Sequence, residues 1–194
     1  MKVVHGYKVI VTMSLLSLLG ACRSSHPPIT TEPRVDLAKF MGDWYVIANI
    51  PTSIERGAHN AIESYRLDTD GTIATTFTFR DGGFSGEVKR YCPRGFVRDT
   101  ASNAVWGMQF LWPIKADYRI VYVSPDYQHT IIGREKRDNV WVMARTTQVS
   151  AADLQDLRAR VAKEGYDMAN FGLVPQQWPE PADAPPRSAA QECS

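Results

Sequence analysis

Histidine and cysteine are scarce in this chain, four and three in 194 residues, and the scarcity limits the chemistry it can carry. His5 and His26 precede the strand-like part of the sequence, His59 and His129 fall in separate segments, and no His-x₃-His or Cys-x₂-Cys spacing occurs, so no metal centre is indicated. A glycine-rich phosphate loop and a Gly-x-Ser-x-Gly elbow are also missing. A catalytic thiol at Cys92 would need a histidine beside it, and no pattern supplies one. These absences point to a binding protein and not an enzyme, with no cofactor called for. Charge of one sign is lacking as well: 22 basic residues stand against 21 acidic ones, for a net charge of +1. With no basic run either, nucleic acid is not expected as a partner.

Long apolar runs are reduced to one, Val9 to Leu19, preceded by Lys2 and Lys8. It is too short to span a bilayer with stable flanks and reads as a secretory signal over residues 1–21. The stretch "LLGAC", Leu18 to Cys22, resembles the lipobox of bacterial lipoproteins, with Gly20 where that motif usually has Ala or Ser. That resemblance implies acylation of Cys22 and a membrane partner held through an N-terminal lipid anchor, since two or more acyl chains give lasting attachment. Arg23, where Asp would mark retention at the inner membrane, implies the outer membrane of the bacterial envelope. Residues 22–35, polar and proline-bearing, suit an extended tether, and the Pro/Ala-rich tail 179–194 is expected to be largely unpacked. Residues 36–178 between them have the length of one domain with a good core.

Within that domain, turn chemistry recurs at even intervals: "DTDGT" from Asp68, "RDGG" from Arg80, "CPRG" from Cys92, "SPDY" from Ser124, "KRDN" from Lys136. Eight short strand-like segments lie between: Trp44–Ile50, Asn60–Leu67, Thr72–Arg80, Phe84–Tyr91 continuing toward Arg98, Ala104–Leu111, Tyr118–Val123, His129–Arg134 and Val140–Arg145. One helix follows. Ser150 is placed to cap it, Val149 and Leu154 to staple it, and Gly165 to end it, with Leu154, Leu157 and Val161 at helical spacing on one face. The layout predicts an all-β protein, an eight-stranded antiparallel up-and-down β-barrel with one C-terminal amphipathic helix packed on its wall.

From about Asp36 to Gln177 the chain resembles the lipocalins, and among them the bacterial outer-membrane branch related to apolipoprotein D. Three places carry the resemblance: Gly42-Asp43-Trp44, Asp126-Tyr127 after the sixth segment, and Arg145 at the end of the eighth. Ser124 and Pro125 stand where the wider family often has Thr, so the second motif is partial. The resemblance implies that Trp44 closes the barrel base with the Arg145 guanidinium across its ring, a contact of about 2 kcal/mol when desolvated. It also implies a bridge between Cys92 and Cys193, with two free thiols as the alternative.

Anchoring the alternation at Arg145 sends Trp141 and Met143 inward; Trp44 sends Val46, Ala48 and Ile50 inward. One face of the third segment carries Phe77 and Phe79, one face of the sixth Tyr118, Ile120 and Tyr122, and strand direction puts Phe110 and Trp112 near the open end. Phe77, Phe79, Phe110, Trp112, Tyr118, Ile120, Tyr122 and Trp141 are therefore the candidate ligand-binding residues, against the alternative of ordinary core. Such a lumen suits a fatty acid or lysophospholipid. Arg80, Arg119 and Lys115 are either head-group partners or plain surface charges. A tethered interaction module with a packed barrel is the alternative function, a lipid-processing enzyme a third, and a homodimer is left open.

Overall fold

The structure, a computed structural model, describes residues 26–187 together with Lys2 and Cys193. The expected signal and the lipid acceptor Cys22 lie outside the described residues. Among the described residues no helix is long and apolar enough to cross a membrane.

Short strands with one apolar face cannot bury it alone, and here they do so by closing on one another. Strands β1 (Gly42–Ile50), β2 (Ala58–Leu67) and β3 (Ile73–Asp81) are successive antiparallel neighbours. The fourth place in the sheet is shared by β4 (Val88–Tyr91) and β5 (Arg94–Val97), both paired with β3. The sheet continues through β6 (Val105–Leu111), β7 (Ile114–Val123), β8 (His129–Gly133) and β9 (Val140–Ala144). Pairing of β9 with β1, from Tyr45 opposite Ala144 to Ile50 opposite Val140, closes an eight-stranded antiparallel barrel. A two-residue strand, β10 (Gly172–Leu173), adds to β1 outside the closure.

The helix α1 (Ala151–Lys163) starts where the Ser150 hydroxyl accepts the Asp153 amide at 3.1 Å, and Gly165 follows it at φ +87°. Its Leu157 and Val161 are buried on the outer barrel wall among Val121, Ile131, Val140 and Val142.

Of four register shifts in the sheet, two, in β1 and β7, overturn simple alternation at residues expected to point inward. The first lies between Val46 and Ala48 of β1, and beyond it Ala48 and Ile50 join the outer cluster under the helix. The second lies between Ile120 and Tyr122 of β7, where Val121 and Tyr122 both turn outward and Val123 turns in. A bulge adds one residue and reverses the alternation beyond it. The inward assignments of Ala48, Ile50 and Tyr122 made by simple alternation are corrected accordingly.

At the closed end the Arg145 guanidinium lies 3.7 Å from the Trp44 ring centroid. Its nitrogens donate to the carbonyls of Asp43 at 2.7 Å, Lys39 at 2.8 Å, Phe40 at 3.1 Å and Met41 at 2.8 Å. Gly42 sits at φ +93°, and a Cβ there would come within 3.4 Å of Arg145 Nη1. The glycine is needed both for the turn and for the room beside the guanidinium.

The described parts of the flanks, residues 26–35 and 179–187, are packed against the barrel, where an extended tether and an unpacked tail were expected. Ile29 and Val35 are buried, and the Glu32 amide bonds the Ile120 carbonyl at 2.9 Å. At the other terminus Glu180 accepts hydrogen bonds from Arg80 Nε at 2.9 Å and Arg187 Nη2 at 2.7 Å, and Arg187 reaches the Asn60 carbonyl at 2.7 Å. Cys92 and Cys193 form a disulfide across a sequence separation of 101. Arg80, only 1% exposed, needs a partner to be buried at all, and the tail supplies it.

Candidate functional site

The lower barrel is filled. Phe40, Trp44, Tyr65, Trp106 and Tyr118 interlock there, with Phe40 edge-on to Trp106 at 5.6 Å and Trp106 stacked on Tyr118 at 5.1 Å. Above them a cavity of about 200 Å³ opens at the other end. Phe77, Met108, Phe110, Tyr118 and Trp141 supply its apolar wall, and Ile54 stands half-exposed at the rim.

Of the eight candidate residues, Phe77, Phe110, Tyr118 and Trp141 line this cup. Phe79 and Ile120 are inward but buried in the core; Phe79 packs on Phe77 and Tyr91 at 5.3 and 6.2 Å. Trp112 is corrected: it stands at the tip of the β6–β7 hairpin, 81% exposed, and does not line the cup. Tyr122 is corrected for the register reason already given and lies on the outer wall with the Arg160 guanidinium 4.1 Å over its ring. The candidate head-group cations face elsewhere. Arg80 lies under the tail, Arg119 pairs with Asp117 at 3.0 Å and Glu135 at 3.1 Å, and the Lys115 ammonium sits 3.3 Å over the Phe96 ring.

Sequence reasoning missed two acidic residues in the cup. Glu63 is directly opposite Trp44 on one side and Phe77 on the other, and facing residues of an antiparallel pair share a face, so it points inward. The signal was present as Ala61, Glu63 and Tyr65 at period two on one side of β2, where a lone charge was readily read as solvent-facing. Tyr65 donates its hydroxyl to Glu63 Oε2, and the Tyr65 and Tyr118 hydroxyls are 2.6 Å apart. Burial pushes the Glu63 carboxyl up to about 8, and the Glu55 charge adds to the effect. Burial also raises Glu55, against the Thr52 amide at 3.1 Å and Trp141 Nε1 at 3.1 Å, which both donate to it. Tyr118 is raised well above its ordinary value by burial and by Glu63. Among the described residues no cluster of His, Cys, Asp and Glu is gathered as a metal site.

The chain's relatives share this barrel. The family model for the lipocalin-like domain matches residues 35–176. The chain belongs to the lipocalin-like family. Temperature-induced lipocalin-1 of Arabidopsis thaliana is 30% identical over 163 residues, 79% of this chain and 83% of the relative. Outer membrane lipoprotein Blc of Escherichia coli K12 is 26% identical over 164 residues, 82% and 90% of the two chains. Insecticyanin from the tobacco hornworm Manduca sexta, a solved structure, superposes with a TM-score of 0.62 at 13% identity, over 79% of this chain and 87% of that one. In this lipocalin the Gly42-x-Trp44 and Arg145 positions form one physical unit at the barrel base.

Proposed function

We propose that this lipocalin is a lipid-anchored carrier of the bacterial envelope that binds and stores or transports fatty acids, lysophospholipids or similar hydrophobic ligands. The observation that carries the reading is the cup: an apolar-walled cavity of about 200 Å³, closed below by packed aromatics and open above. It is smaller than the roughly 300–1,000 Å³ of sites for drug-sized ligands, so it suits one slender chain better than fused rings or paired chains. The lipobox-like segment ending at Cys22 and the likeness to an outer membrane lipoprotein support the envelope and the anchor.

The test is a titration with saturated fatty acids and lysophospholipids of graded length, read by quenching of tryptophan fluorescence, since Trp141 is in the wall. Affinity is expected to rise by about 0.8 kcal/mol per methylene while the chain is being buried. The rise should stop once the cup is full, because further methylenes stay at the mouth or strain the wall.

A second reading, a tethered interaction module, is favoured by the β6–β7 hairpin beside the mouth. Phe110, Leu111, Trp112 and Ile114 are all more than half exposed there, a patch of the kind that marks a contact surface. Flat, millimolar binding at every chain length would reject the carrier and leave the module in first place.

A further inference from the structure

Glu63 is out of place in a site meant only for a hydrocarbon chain. Its cross-strand neighbours are Trp44 and Phe77, and it sits where the cup meets the packed base. Among the described residues only Tyr65 donates to it, and only to Oε2. Tyr65 is in turn held by the Tyr118 hydroxyl at 2.6 Å, and both rings are fixed against Trp106. The array is rigid, Glu63 lines the cavity, and its other carboxyl oxygen has no protein donor among the described residues. The other polar groups around the cup do not meet that need. Glu55 is itself acidic and engaged by the Thr52 amide and Trp141, Asp117 is tied to Arg119, and Arg134 Nη1 is held by Asn139 at 2.9 Å and Asp138 at 3.3 Å, while Arg134 Nε and the Thr52 hydroxyl are buried in the lining and neither bonds Glu63.

A plain methyl end pushed against Glu63 would strip water from a carboxyl group and give nothing back, which is unfavourable. Once Glu63 is ionised, above about pH 8, a carboxylate end would meet it and Glu55 with like charge. In that ionised state the second oxygen is an open acceptor, which an end that donates a hydrogen bond and carries no negative charge would fill.

We propose that Glu63, braced by Tyr65 and Tyr118, is a deep subsite for the hydrogen-bond-donating end of a single-chain ligand, an amine or an alcohol. This rests on the carrier reading and refines it, because it ranks long-chain amines and alcohols above fatty acids of equal length. Charge then reinforces the match for an amine. As Glu63 loses its proton, with its carboxyl pushed up to about 8 by burial, an ammonium gains a counter-ion and a carboxylate gains a repulsion.

The experiment compares dodecylamine, 1-dodecanol and laurate, each below its aggregation threshold, on the full chain and on Glu63→Gln. The amide keeps the shape of the carboxyl and an acceptor for Tyr65. At about pH 9, where Glu63 has lost its proton, dodecylamine and dodecanol should bind the wild type about tenfold or more tightly than laurate, the scale of one hydrogen bond to a charged acceptor. The amine-to-laurate ratio should rise in the wild type from about pH 6.5 to about pH 9, where both probes hold their charges. In Glu63→Gln the ratio should fall toward one and lose its pH dependence. If that variant does not fold, the wild-type pH series still decides. Laurate binding as tightly as dodecylamine at about pH 9, or a ratio that ignores pH, overturns the subsite and leaves the carrier standing. Failure of all three probes to bind overturns both.

Discussion

Arg145 shows how one side chain can hold the base of a barrel. It covers the Trp44 ring and donates to four backbone carbonyls at the base, sharing that of Phe40 with Trp44 Nε1. Replacing it with alanine removes the ring contact and leaves those carbonyls short of donors, so Arg145→Ala should lose roughly 1–3 kcal/mol in a urea melt. An unchanged melting curve would show that the guanidinium is not a brace. Glu63 acts in the opposite sense. Its carboxyl titrates near 8 in the fold and near 4.3 when unfolded, so between those values the folded state holds a proton that the unfolded state has released. Stability attributable to this group must then fall as pH rises from about 4.3 to about 8 and level off above that. Glu63→Gln cannot ionise, and at alkaline pH it should exceed the wild type by on the order of 3 kcal/mol, allowing for the cup's opening to solvent. Parallel pH–stability curves for the two proteins would contradict this.

At the scale of the element, residues 178–187 act as a strap across β2 and β3. Glu180 is the centre of it: burial alone would raise its carboxyl, but hydrogen bonds from Arg80 and Arg187 outweigh that and hold it down at about 2. Without Glu180, the nearly inaccessible Arg80 would be left as a buried charge with carbonyl partners only. Glu180→Ala should therefore cost about 3–5 kcal/mol, the scale for breaking a buried pair, and should open residues 178–187 to protease. Resistance to cleavage in the variant would show that the strap is held by the disulfide alone. The bulges in β1 and β7 are the other decisive elements, since each moves a whole half-strand from lumen to wall.

For the molecule as a whole, closure of β9 on β1 makes a container, and the aromatics below make it a shallow one. The chain-length titration and the amine, alcohol and laurate comparison both test that container. The first asks how much chain it takes, the second which end goes down. Their results are independent, because the first reads apolar burial along the wall and the second one polar contact at the floor.

The barrel itself was legible in the residues. Turn chemistry at even spacing, period-two segments and the capped helix are local signals, and local signals survive in any sequence that folds by them. The Gly42, Trp44 and Arg145 base was legible through resemblance, and alternation placed Phe77, Phe79, Tyr118, Ile120, Trp141 and Met143 on the inner side. What alternation could not see is where it breaks: nothing in "RIVYV" announces that Tyr122 turns outward, because a bulge is a compromise between neighbouring strands. Nor could it place Glu63 or the strap. A glutamate in a strand is usually in water, and a proline-rich tail is usually loose. Only the tertiary structure sets Glu63 between Trp44 and Phe77 of the neighbouring strands, with Tyr118 holding its Tyr65 partner, and brings the buried Arg80 to Glu180 a hundred residues on, because a polar group is buried only where such neighbours are assembled around it.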